Sequence, residues 1–434
     1  MSPKPWVSCS AVGKWLLVLV ILSVAEFTLG GADKKDTLEA AELAKRSKQA
    51  RALYDQGKYA AAEAEYRAVL KLSERDLGPE HPYTLGNRQG VANALSSQGK
   101  YAQAEAEHRA VLKLREHVLG PEHRDTLSSR NSLACALVDQ GKYAAAEAEH
   151  RAVLNLRARV LGLDHPDTLI SRDNLATALN AQCKYAEAES AHRTVVKLRE
   201  RVLGPEHPDT LASRNNLANV LHAQGRSAEA EVELRAVFKL MERVLGPEHP
   251  DTLISRDNLA TALATQGKYV EAEAQYRAVL KLRARIQGPE HPGTLAIRSN
   301  LANVLRALGK LKEAVAEYRA VIEIKERVLG PEHPNTLVSR LALSNALCAQ
   351  GRSAEAEPEY RAVVKLCERV LGPEHSDTLM SIHNLALCLK LQDKLEDARE
   401  FARRAVEGGR KVLPAEHPHR KAYEKLYQQL TAKN

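Results

Sequence analysis

Nine histidines recur every 42 residues, His81, His123, His165, His207, His249, His291, His333, His375 and His417, mostly within a Pro-Glu-His string or a near copy of it. Imidazole binds transition metals and titrates near neutrality, so the series raises the question of a metal site or a pH sensor. The spacing argues against metal. One imidazole per unit, with units a helix layer of ~10 Å apart, cannot bring two rings to a common ion. The rings are expected instead to pack, or to bond backbone groups, at the junctions between units. Nor does the chain hold a nucleophile motif or a phosphate-binding glycine loop, and every polar constellation recurs once per unit. Catalysis needs one asymmetric centre, so the sequence points to a non-enzymatic protein with no cofactor and no metal.

Residues 209–250, DTLASRNNLANVLHAQGRSAEAEVELRAVFKLMERVLGPEHP, serve as the type unit. Two helices fit in it. Asp209 or Thr210 is expected to cap the first, which ends at the Gln224-Gly225-Arg226 turn. The second is predicted from about Ser227 to Leu245, stopping at Gly246 with Pro247 behind it. With Leu211 as position 1, position 20 is alanine in all nine units, from Ala62 through Ala230 to Ala398, and position 8 is alanine in all but Ser344. Small residues at these two places let paired helices approach to about 8 Å.

This pattern resembles the tetratricopeptide repeat, in the 42-residue variety of kinesin light chains and related bacterial proteins. The resemblance spans roughly residues 36 to 412. It rests on the small residues at positions 8 and 20, on Leu217 and Leu221, on the Gly-Lys-Tyr turns at 57, 99, 141 and 267, and on the NNLA string at 215. It implies an all-α, right-handed superhelical solenoid over residues 33–412. The nine helix-turn-helix repeats lie near 43–76, 85–118 and so on at the same period to 379–412, and a capping helix follows in residues 413–434. The sequence lacks a heptad-rich segment before the repeats, which sets it apart from a kinesin cargo adaptor.

In that family a stripe formed by positions 5, 9 and 12 faces a concave groove and contacts extended peptides. The resemblance therefore nominates Asn131, Asp173, Asn215, Asn219, Asp257, Asn303 and Asn345 as partner-binding residues, with Asn215, Asn219 and Asn303 leading. A carboxamide offers one donor group and one acceptor, which matches a peptide unit in an extended strand. Position 4 is arginine in eight successive units, Arg46 through Arg214 to Arg340, and helical rotation puts it in the apolar stripe. Such guanidinium groups need acceptors. The recurring glutamate at position 21 (Glu63, Glu105, Glu147, Glu189, Glu231, Glu273, Glu357) is the expected partner, with Glu290 serving Arg298 where position 21 is Val315.

Composition is consistent with close-packed helices: aromatic residues are 4% of the chain, and Ala, Leu, Glu, Arg and Lys dominate. Residues 1–32 fall outside the repeat. Lys4 and Lys14 precede an apolar run from Trp15 to Val24, and the small residues Gly30, Gly31 and Ala32 follow, an order that reads as a secretory signal peptide. The run is too short for a membrane span, so the expected location is periplasmic or extracellular, with no stable membrane anchor after cleavage. Losing these residues lowers the net charge from +8 to +7. Acidic residues are interspersed among the basic ones, which disfavours nucleic acid as a partner. Of the cysteines, Cys135, Cys183, Cys348, Cys367 and Cys388 lie beyond the leader, an odd number without a CxxC, indicating neither a disulfide framework nor zinc. The reading that follows is an exported scaffold binding a protein or peptide, not a small-molecule substrate. The alternative is a structural or assembly component of the cell envelope.

Overall fold

A computed structural model describes residues 34–432; the leader expected in residues 1–32 lies outside them. All regular structure among the described residues is helical, in 19 helices. They fall into two compact units, divided along the chain between Gly246 and Pro247. The first holds five hairpins: α1 (Lys34–Asp55) with α2 (Tyr59–Asp76), α3 (Pro82–Ser97) with α4 (Tyr101–Leu119), α5 (Arg124–Asp139) with α6 (Tyr143–Leu161), α7 (Pro166–Ala181) with α8 (Tyr185–Leu203), and α9 (Pro208–Ala223) with α10 (Ser227–Leu245). The second holds four more: α11 (Pro250–Thr265) with α12 (Tyr269–Ile286), α13 (Pro292–Ala307) with α14 (Leu311–Val328), α15 (Pro334–Ala349) with α16 (Ser353–Val370), and α17 (Ser376–Leu391) with α18 (Leu395–Val412). It ends in α19 (Pro418–Thr431). Within each unit every helix packs on the next in chain order, which makes the chain an all-α repeat solenoid.

The boundaries follow from local chemistry. In the fifth hairpin Pro208 occupies the first turn of α9, where its missing N–H costs nothing. This moves the cap to the residue before it, so the expected Asp209 or Thr210 cap is replaced by His207. Its Nδ1 accepts the N–H of Asp209 at 3.2 Å. All nine loop histidines cap a first helix, or α19, in this way. Thr210 turns inward instead, and its hydroxyl donates to the Gly204 carbonyl at 2.8 Å. At the far end of α9, Gly225 takes φ +84° and the Arg226 N–H returns to the Leu221 carbonyl at 3.0 Å. Cys183 accepts the same left-handed conformation at φ 61° without glycine's freedom.

Helices close on small residues. Ala218 and Ala230, at positions 8 and 20, are fully buried, as are their counterparts in the other hairpins. The end of the chain is covered by α19, whose Tyr423, Leu426 and Leu430 are buried. Two glycines let α18 approach both of its neighbours: a Cβ at Gly408 would lie 2.4 Å from Leu379 of α17, and one at Gly409 would lie 3.1 Å from the Tyr423 ring of α19.

Candidate functional site

The position 5 residues do not form an open stripe. A residue there faces positions 24 and 31 of the second helix of its own hairpin, and position 31 is basic in five hairpins: Arg115, Arg157, Arg199, Arg283 and Lys325. Asp173 is the clearest case, at 8% exposure. Its carboxylate lies 3.0 Å from His192 Nδ1 and 2.9 Å from Arg199, and it accepts the Ser213 hydroxyl at 3.0 Å. Burial alone would raise its pKa, but the His192 hydrogen bond and the Arg199 charge hold it below the ordinary carboxylate range. Asp257 has fewer acceptor-directed contacts, and burial pushes its pKa up to about 6 against the opposing pull of Arg283. Asn131 Oδ1 accepts from Asn174 Nδ2 at 2.8 Å, and Asn215 is buried at 5% exposure. Asp173 and Asn215 are therefore interior residues. This corrects the expectation that they present polar groups to a partner, because the second helix already covers their side of the first.

Position 9 divides. Asn219 is buried at 5% exposure, which corrects its placement in the groove as well. Asn303 and Asn345 are half-buried, and their Oδ1 atoms accept the hydroxyls of Tyr318 and Tyr360 at 2.6 Å each. Their carboxamide nitrogens have no partner among the described residues. Thr261 shares a 2.8 Å hydrogen bond with Tyr276 in the same register.

The buried cations were missed in the sequence. Arg115, Arg157 and Arg199 each donate to a position 3 serine of the next hairpin (Ser129, Ser171, Ser213) at 2.6 to 2.9 Å, and to a backbone carbonyl at its helix start. Lys325 does the same with Ser339 at 2.7 Å. Burial depresses Arg115, Arg157 and Arg283, and lowers Lys325 to about 7. The recoverable signal was a basic residue and a serine separated by 14 positions in successive units.

The arginine ladder exists but pairs differently from the expectation. Arg46, Arg88, Arg214 and Arg298 bond Glu65, Glu107, Glu233 and Glu317 at 2.6 to 2.8 Å, and Arg340 bonds Glu359, all at position 23. Position 21 faces elsewhere. Glu105 accepts from Arg109 on its own helix at 2.9 Å, and from Gln140 at 2.9 Å and Lys142 at 2.8 Å in the next turn. Burial would raise Glu105, but these donors bring it down to about 2. Glu290, proposed for Arg298, is taken by Arg327. Two positions on a helix differ by about 200° in direction, so position 21 ties a hairpin to its successor and position 23 closes the hairpin on itself.

No group of three or more His, Cys, Asp or Glu side chains that could hold a metal ion occurs among the described residues. No described helix is long and apolar enough to cross a membrane.

Comparison with known proteins agrees with this architecture. The tetratricopeptide repeat family's sequence models match residues 39–106, 173–239, 215–285, 258–327, 293–364 and 338–411, and also 88–125 and 126–167. No curated protein matches. Among solved structures, a putative kinesin light chain with nearly identical TPR-like repeats from Podosopora anserina is 30% identical over 47% of this chain and 96% of its own, with a TM-score of 0.39. BtubC (BKLC) from P. vanneervenii is 18% identical over 54% and 91%, with a TM-score of 0.41. A Rap protein complexed with competence and sporulation factor is 13% identical over 80% and 96%, with a TM-score of 0.47. With family matches running along most of its length, the chain belongs to the tetratricopeptide repeat family.

Proposed function

We propose that the protein is a non-enzymatic scaffold that binds an extended segment of a protein partner along the first helices of the hairpins in its second unit. The observation that supports this is the pair Asn303 and Asn345. Each is half-exposed, each is fixed at Oδ1 by a tyrosine hydroxyl, and each keeps an unpaired carboxamide nitrogen one unit apart from the other. A donor held rigid at regular intervals suits the carbonyls of an extended strand, since little side-chain entropy is left to lose on binding. Tetratricopeptide repeats commonly serve as protein interaction scaffolds, and the remaining charges here are largely consumed in pairs within the stack.

The test is crosslinking of the full chain in its native cells, comparing wild type with the double variant Asn303→Ala, Asn345→Ala. Partners captured by wild type should be lost or strongly reduced in the variant. An unchanged set of partners would remove this face from the reading.

A further inference from the structure

Two rungs of the arginine ladder lack an acid: Arg256 bonds the Gln275 carboxamide oxygen at 2.7 Å instead, and Arg172 has no replacement at all. In the fourth hairpin, position 23 is Ala191 where five others carry a bonded glutamate. The fallback acid is missing too. Arg130, whose own Glu149 lies at 3.7 Å, reaches Glu116 of the preceding hairpin at 2.5 Å, but the residue in that register for Arg172 is Ala158. Arg172 consequently has no hydrogen bond or ion pair among the described residues, and its Nε is sequestered from water without an acceptor. A half-buried guanidinium in that state has lost hydration and gained nothing in return.

The space left by the absent glutamate is open. A depression of about 510 Å³ is lined by Arg172, Leu175 and Leu179 of α7 and by Ser190, Ala191 and Thr194 of α8. Arg151 and Glu187 also line it, and these two pair with each other at 3.4 Å, so the acid already present is matched to a cation other than Arg172. The two hydroxyl residues are themselves a departure: the first three hairpins have alanine in both registers (Ala64 and Ala68, Ala106 and Ala110, Ala148 and Ala152). Thr194 spends its hydroxyl proton on the Ser190 carbonyl at 2.9 Å, while the Ser190 side chain is exposed at the rim. One hairpin has thus exchanged a carboxylate for a methyl group and gained hydroxyls beside it, over a cation whose counterparts hold a carboxylate in five hairpins and a carboxamide at Arg256.

We propose that this depression is a receptor for the side-chain carboxylate of a glutamate or aspartate on the partner polypeptide, which completes the Arg172 rung from outside. This rests on the reading that a protein segment docks on the chain. The geometry to be met is already present in the molecule, where Arg88 and Arg214 hold glutamate oxygens at 2.8 and 2.6 Å through Nε. Leu175 and Leu179 supply an apolar floor for the methylene stem, and the low local polarity strengthens the charge-assisted bond.

Two measurements decide it. In the first, the arginine Nε–H signals of the full chain are followed by NMR during titration with N-acetyl-glutamic acid α-amide. The Arg172 signal, identified by its absence in Arg172→Gln, should shift saturably. It should not respond to the glutamine analogue, and the acid should have no effect at this site in Ala191→Glu, where the chain supplies its own carboxylate as it does for Arg88 and Arg214. No saturable shift with the acid overturns the proposal, and an equal response to inorganic phosphate overturns it in favour of an unspecific anion site. In the second, heptapeptides are selected from a random display library on the full chain. Selected peptides should be enriched in acidic residues and bind Ala191→Glu and Arg172→Gln roughly ten-fold or more weakly, the scale of one charge-assisted hydrogen bond. Peptides that bind without acidic residues, and equally well to both variants, would leave the scaffold reading standing and remove this site. Failure to select any peptide counts against the scaffold reading, and the titration still decides the receptor.

Discussion

The Nδ1 atom of His207 accepts the backbone N–H of Asp209 at 3.2 Å, so the imidazole takes the place that a serine or aspartate side chain usually fills at a helix start. The same bond recurs at every junction, which is why histidine keeps the period of the chain. An imidazole can accept at Nδ1 only while that nitrogen is unprotonated. Replacing His207 by Ala removes the acceptor and should lower stability by ~1 kcal/mol, while His207→Asn should restore most of the loss. Urea unfolding of the three proteins at neutral pH measures both effects. An Asn variant no better than Ala would show that the ring matters for packing and not for capping.

The pairing of Arg214 with Glu233 instead of Glu231 gives a second test. The two side chains are 20% and 28% exposed, so the pair is intermediate between a solvated ion pair and a buried one. A double-mutant cycle between Arg214→Ala and Glu233→Ala should return a coupling of ~1 to 2 kcal/mol, above the surface range and below the cost of a fully buried orphan charge. The cycle between Arg214 and Glu231 should return a coupling near zero, since Glu231 bonds Arg235 on its own helix at 2.8 Å.

The contrast between these two glutamates shows what the sequence reveals and what it hides. The hairpin is legible because its signals are local: Pro208 and Gly225 punctuate α9, Ser227 and Gly246 bound α10, and the alanines at 218 and 230 mark the contact. The polar interior is not legible from one helix at a time. Asn215 and Asp173 have the composition of exposed residues, and only the second helix, 26 residues further on, shows that Asp173 faces a buried Arg199 while Asn215 sits in the register of Met241. Choosing between Glu231 and Glu233 likewise requires knowing which side of α10 turns toward α9. The period fixes neither choice, because both positions recur with it.

His150 supplies a test of pH dependence. It is fully buried with neither ring nitrogen bonded, and burial lowers its pKa to about 4 from an ordinary value of 6.5. Above pH 6.5 the ring is neutral in both folded and unfolded chains. Between 6.5 and about 4 the unfolded chain takes up a proton that the folded chain refuses, so stability falls as pH falls through that window. At the same position the fifth hairpin carries Leu234, buried and without polar atoms to satisfy. His150→Leu should therefore raise stability by ~1 to 3 kcal/mol at pH 7, by removing unpaired buried nitrogens. It should also flatten the acid limb by one proton, leaving the contributions of His108 and His383, whose pKa values burial likewise lowers to about 4. Denaturant unfolding at pH 7 and pH 5 measures both changes. A slope unchanged by the substitution would mean that His150 reaches water in the folded chain.

Cys348 at the end of α15 and Cys388 in α17 bring their sulfur atoms to 3.4 Å, although the cysteine spacing indicated no disulfide framework. The hydrogen bond shared with Cys388 lowers Cys348 to about 7, which favours its thiolate, while the same contact and burial raise Cys388 and keep it protonated. Attack by Cys348 on a small disulfide such as oxidised glutathione releases one thiol and leaves a mixed disulfide. Cys388, on losing its proton, then displaces the second thiol and closes the bond, so that two protein thiols are oxidised and one small disulfide is reduced. The cross-link would join the eighth hairpin to the ninth and should stabilise that end of the chain by ~2 to 4 kcal/mol. Intact mass should show the loss of two hydrogens after exposure to oxidised glutathione, peptide mapping should place the link at 348–388, and Cys348→Ser should abolish it. A glutathione adduct that persists on Cys348 with no internal link would show that Cys388, buried at 1% exposure, does not move the short distance needed to resolve it.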